Sequence, residues 1–168
     1  GAADYKLSCH GLHQRGAYTF CMCPGGTVVA AASEKGGVIV NGMSTLARDG
    51  ENANSALLVG IDPVDFPSEH PLAGMYYQRE IEQNAFALGG GDYRAPAQLV
   101  GDFLADRESR ALGNVQPTCP TGVTLTNLRY CLPDRVRTTM QAAITEMDKR
   151  LHGFALPDAV LTAPETRS

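Results

Sequence analysis

A chain of 168 residues, 43% of them apolar and 19% charged, suits one domain, or one domain with a subdomain, and is long enough to bury roughly 70% of its unfolded surface. A formal net charge of −4 with scattered Lys and Arg excludes the basic stripe that nucleic acid requires. No window approaches the roughly 18 uninterrupted apolar residues of a membrane helix and no secretory leader is visible, so neither nucleic acid nor a membrane is an expected partner.

The first third reads as strands. Tyr5 to Cys9, Ala17 to Met22, Thr27 to Ala32, Gly37 to Asn41 and Ser55 to Ile61 are short, β-branched or aromatic, and separated by Gly, Pro, Asn and Asp. Cys23-Pro24-Gly25-Gly26 and Glu34-Lys35-Gly36-Gly37 are hairpin candidates, because glycine supplies the positive φ of tight connections. A β-meander or partial barrel is expected.

From Pro71 the texture changes. Tyr77, Ile81, Ala85 and Leu88 recur on one helical face until Gly89-Gly90-Gly91 stops the pattern. A shorter helix is expected after Ala95-Pro96, with Leu99, Val100, Phe103 and Leu104 on its apolar side, followed by a loop over Ala111 to Thr124. The strongest helical signal comes last: Pro133 near the first turn, then Val136, Met140, Ala143, Ile144, Met147 and Leu151 in one stripe. After Gly153 the run Ala159 to Thr162 reads as a strand that returns the chain to the β part. The fold class is therefore α+β: an antiparallel sheet or partial barrel over residues 1–66, rejoined by a final strand within 159–166, with a helical layer over 71–153.

No G-x-G-x-x-G follows a strand, and neither G-x-x-x-x-G-K-[ST], H-E-x-x-H nor G-x-S-x-G occurs, so this chain by itself holds no dinucleotide fold. Five cysteines, an odd number in a chain this large, favour reduced thiols and a cytoplasmic setting over a secreted disulfide framework. Cys21 and Cys23, two apart on a strand, point to one face but lie too far apart for an easy mutual disulfide. Zinc shared with Cys9, His10 or His13 falls short of the usual paired spacing, and no metal is expected. A thiol facing a cofactor and plain packing are the other two readings of these sulfurs. Arg48-Asp49-Gly50-Glu51-Asn52-Ala53-Asn54 offers a guanidinium, carboxylates and amides to a bound polar molecule, against a bland reading in which Asn and Asp merely make turns.

Taken in order, FCMCPGG at Phe20 to Gly26, VVAAASE at Val28 to Glu34, VNGMS at Val40 to Ser44, ARDGENANSALLV at Ala47 to Val59, APAQLVGDF at Ala95 to Phe103, CLPD at Cys131 to Asp134 and the closing AVLTAPETR resemble the bacterial FAD-dependent dehydrogenases described as NAD(FAD)-utilising. Seven ordered motifs from about Ala17 onward are more specific than any one glycine-rich loop. The resemblance implies that residues 1–168 form a single inserted substrate or cap domain of a larger flavoprotein whose FAD-binding Rossmann part is absent from this chain. It opens on Gly-Ala-Ala and closes on Glu-Thr-Arg-Ser, and both ends are expected to be cuts.

By the same resemblance FAD belongs to the full-length protein and is not expected on this fragment, which is not expected to be active alone. Cys23, Pro24, Gly25 and Gly26 are expected on the flavin side, and Glu165, Thr166 and Arg167 at the junction with the cofactor domain. Arg48, Asp49, Asn52 and Asn54 are expected to wall the pocket of an unknown small-molecule substrate, with NAD(P)H an optional electron partner. No catalytic residue is assigned. Two rivals from other classes are a noncatalytic interaction domain that uses the Arg48 to Asn54 surface, and a thiol or zinc domain built on Cys21 and Cys23.

Overall fold

The computed structural model describes residues 6–12 and 14–167, so the expected Tyr5 start of the first strand and His13 lie outside the described residues. Among the described residues, three small sheets and three α-helices make an α+β fold with no closed barrel. In the first sheet β1 (Ser8–Leu12), β2 (Arg15–Cys23) and β5 (Asn54–Val59) run antiparallel in the order β1-β2-β5. β3 (Gly26–Ala30) and β4 (Val40–Ser44) pair separately, through the register Thr27↔Met43 and Val29↔Asn41. The Glu34 to Gly37 turn joins them as a hairpin, as its glycines predict. The Cys23 to Gly26 turn does not make the hairpin expected of it. It hands the chain from one sheet to another, because β2 is paired on both sides by β1 and β5.

Its glycines serve that transfer. Gly25 has φ +57, and a Cβ there would overlap the Arg48 carbonyl carbon and oxygen and lie 2.6 Å from the Asp49 amide nitrogen. Two backbones thus cross in direct contact, which only glycine permits. Gly25→Ala is expected to lower stability by about 2 kcal/mol, combining the left-handed penalty with the overlap, and a shifted urea midpoint at unchanged slope checks it.

α1 (Ala73–Leu88) ends at Gly89 as expected, with Ala85 fully buried. The next element departs from expectation. Ala95–Leu99 is a strand, β6, and only then does α2 (Val100–Leu104) begin. Pro96 suits a first helical turn, but β6 is the centre of a third sheet, parallel to β7 (Val123–Leu125) and antiparallel to β8 (Val160–Thr162). Pro96 supplies its carbonyl to Ala163 N–H at 3.1 Å. The final strand therefore joins a sheet inside the stretch expected to be helical, and not the N-terminal sheet; its tail still touches the β part, since Val40 N–H donates to Pro164 O at 2.9 Å. β7 likewise interrupts the loop expected over residues 111–124.

α3 (Asp134–Asp148) follows its predicted stripe, and its buried face serves two clusters. Met140 and Ile144 pack with Phe103, Leu128, Val38 and Val40, while Ala143 and Met147 lie under Cys9 and Ala17. Leu151 falls beyond the helix and is exposed. Among the described residues no helix is long and apolar enough to cross a membrane.

Candidate functional site

The sheets and helices do not close on each other completely. Between β5, the N-terminal half of α1, α3 and the segment after β8 lies a cleft of about 1080 Å³. Its walls are largely apolar, with Leu57, Val136, Met140 and Ile144 among them, and its polar groups gather along β4, β5 and the C-terminal segment. A concave apolar site with a few polar groups is the usual form of a small-molecule pocket.

Of the four residues expected to wall a pocket, Asn52 and Asn54 line this cleft, and Arg48 and Asp49 do not. Arg48 takes a left-handed φ of 55°, and its amide donates to Thr45 Oγ1 at 3.1 Å, so its backbone lies over Gly25 while both side chains face solvent. Asn52 binds the loop on two sides: its carbonyl accepts from Gly26 N–H at 2.9 Å, and its amide nitrogen donates to Gln116 O at 2.6 Å. Asn54 differs. Neither atom of its carboxamide has a hydrogen-bond partner, although both are enclosed, and Asn41 Oδ1 on β4 shares that condition. The Asn54 amide lies against two glycines: a Cβ at Gly42 would overlap its Oδ1, and one at Gly26 would lie 2.6 Å from its Nδ2.

Cys23, Pro24, Gly25 and Gly26, expected on the flavin side, lie outside the cleft lining. The close approach that Gly25 allows is met by the chain's own Arg48-Asp49 backbone, and Pro24 O accepts from Ser44 Oγ at 3.1 Å. Glu165 and Thr166 do line the cleft, whereas Arg167 turns to α1 and pairs with Glu82, Nη2 to Oε2 2.9 Å.

The shared face expected for Cys21 and Cys23 is broken by a bulge. Phe20 pairs with Ala56 but Cys23 with Asn54, so one extra residue is absorbed, and Cys21 takes φ 47°. Cys21 is exposed and Cys23 half-buried, both as free thiols. Burial, Cys23 and Glu165 together raise the Cys21 thiol above its ordinary value, which opposes a ready thiolate. Burial pushes Cys131 in the core up to about 12. Cys9 stands opposite Ala17, well along β2 from Cys21, and among the described residues no three His, Cys, Asp or Glu side chains come together as a metal cage.

Two residues of the cleft, and a third that holds its C-terminal wall, carried no sequence signal as such. Tyr77 and Gln78 line the cleft from α1, where Tyr77 read only as part of a core stripe. Burial and then the Asp65 carboxylate raise the Tyr77 phenol above its usual range. Gln78 Nε2 donates to Thr166 O at 2.7 Å, and Glu82, fully buried one turn on, accepts from Thr166 Oγ1 at 2.6 Å. A glutamate in an amphipathic helix gives no sign of being the clasp for a distant segment.

The chain matches, over residues 1–168, the family described as "FAD-dependent protein, C-terminal domain-like". It belongs to that family. An uncharacterised protein of Clostridium beijerinckii is 52% identical over 168 residues, covering 99% of this chain and 32% of that relative. The chain thus spans about a third of the length of the curated relative it matches. Against the flavin of an FAD-dependent protein, the cleft fits selectively. Its neutral amides and apolar walls suit an uncharged ring, and its lining among the described residues includes no Lys or Arg to pair with a pyrophosphate.

Proposed function

We propose that this chain is the substrate-side domain of an FAD-dependent oxidoreductase, closing over a flavin whose phosphates are held by another part of the full-length chain. The observation that carries the reading is the cleft, bordered by the Glu165-Thr166 segment and lined, among the described residues, by no Lys or Arg, inside a family whose description is FAD-dependent. Val136, Met140 and Ile144 would exclude water from the ring and from the substrate. Asn52, Asn54 and Tyr77 would orient what enters, with Thr166 placed at the edge by Gln78 and Glu82. When bound, FAD supplies the hydride chemistry, and the chain's own residues bind, orient and shield. NAD(P)H is a candidate electron partner within this reading, and an insertion between two cofactor-binding segments is the proposed place of the domain in the longer polypeptide.

Absorbance tests this directly. The purified full-length protein should be yellow and the isolated chain colourless; a full-length protein that is colourless and gains no flavin on addition of FAD would overturn the reading. That outcome would favour the interaction-domain alternative, for which the exposed side chains of Arg48 and Asp49 outside the cleft are the specific support.

A further inference from the structure

We propose that the cleft takes an uncharged ligand with an apolar body and a carboxamide-like edge, and that Asn54 is the residue that reads this edge. The inference rests on the cleft being the substrate pocket, as above, and adds the class of substrate.

Charge is the first argument. The ionisable groups lining the cleft among the described residues are Tyr18, Glu51, Tyr77, His152 and Glu165, without a single Lys or Arg. The cations nearby are committed elsewhere: Arg15 to Asp65, Arg79 to Glu34 and Arg167 to Glu82. A carboxylate or phosphate entering here would lose its water with no lining Lys or Arg to meet it, only the imidazole of His152, and would meet two glutamates. A neutral molecule pays neither cost.

Asn54 is the second argument. A carboxamide shut away from both water and protein partners works against folding, and the chain gives up side chains at both Gly26 and Gly42 to make room for it. No hydrogen bond among the described residues offsets this, which is the pattern of a group kept for a ligand. Asn54 has an NH2 group with two N–H donors and a carbonyl oxygen left to satisfy. An edge carrying a carbonyl beside an N–H meets both at once, in a cyclic pair of hydrogen bonds, once the side chain turns into the cleft it lines. The apolar walls take the rest of the molecule.

The test uses two probes of the same shape, 2-naphthamide and 2-naphthoate, titrated calorimetrically into the full-length flavin-loaded protein. Naphthamide should bind at least tenfold tighter than naphthoate, and Asn54→Leu should weaken naphthamide about tenfold while leaving naphthoate unchanged. Should the leucine variant not fold, Asn54→Asp, which keeps the shape and removes the donor, carries the same expectation for naphthamide. Equal or tighter binding of naphthoate, no binding of either probe, or naphthamide binding indifferent to the Asn54 variant that folds each overturn the proposal. The flavin spectrum, recorded in the same titrations, separates the two readings. Naphthamide that binds through Asn54 without perturbing the flavin sinks the cap function alone; a flavin perturbed equally by both probes sinks the carboxamide preference alone.

Discussion

Arg15→Ala should destabilise the chain by about 3–5 kcal/mol, the usual cost of leaving one member of a buried ion pair without its partner. Arg15 and Asp65 form such a pair, with side chains only 8% and 7% exposed. Arg15 also donates to Gly60 O at 2.7 Å, Asp65 Oδ2 accepts from Asp62 N–H at 2.9 Å, and Arg135 of α3 approaches Asp65 at 3.8 Å. One carboxylate therefore joins the start of β2, the exit of β5 and the first turn of α3. Burial pushes the Asp65 carboxyl up, but the Asp62 amide and the Arg15 guanidinium together outweigh it and hold the group below the ordinary aspartate range.

A depressed carboxylate pKa contributes stability that is fully present above the unfolded value of about 3.9 and is lost as pH falls through the lower folded value. Denaturant titrations of wild type and Asp65→Asn should accordingly differ by a constant amount at neutral pH and converge below about pH 4. A difference that grows as the medium is acidified would contradict this account of Asp65.

Arg167→Ala is the second large effect, expected at about 2–3 kcal/mol, or roughly 5–10 °C in Tm for a domain of this size. Glu82 is 1% exposed, and its carboxylate accepts from Arg167 Nε at 3.2 Å, Arg167 Nη2 at 2.9 Å and Thr166 Oγ1 at 2.6 Å. Arg167 itself is 40% exposed, so water screens its side of the pair and keeps the cost below that of a fully buried one. Its loss leaves a buried charge with a single hydroxyl donor. Glu82→Gln in the same chain removes that charge, so the double variant should melt above Arg167→Ala alone. Additive losses would show that Arg167 acts through Glu34 or Ser33, which it also meets, and not through Glu82. Because Thr166 borders the cleft, this clasp is also what fixes the cleft's C-terminal wall.

The residues that were legible in advance share one property: their signal is local. The stripe from Val136 to Met147 predicts α3, since a helix shows its period within its own span. The glycines at 89–91 predict the end of α1 in the same way. Asn52 and Asn54 stood out as amides in excess of what a turn needs, and both line the cleft. The misreadings are equally instructive. Ala95–Leu99 has helix-start chemistry but becomes a central strand, because partners at residues 123–125 and 160–162 reach it from far along the chain. Arg48 and Asp49 lie outside this cleft, exposed, with their backbone crossing Gly25, a placement that no local period shows. Cys21 and Cys23 lost their common face to a bulge that no two-residue period reveals.

Composition, period and turn chemistry were thus sufficient for the α+β class and for α1 and α3, since each depends on neighbours a few residues apart, while the tie to FAD-dependent proteins rested on the resemblance of seven ordered motifs. The pairing of β8 with β6, the Glu82 clasp on Thr166 and Arg167, and the enclosure of Asn54 between Gly26 and Gly42 were decided only in three dimensions. Each joins segments far apart in sequence, and the free energy of such a contact comes from burial and charge pairing that exist only after the chain has folded.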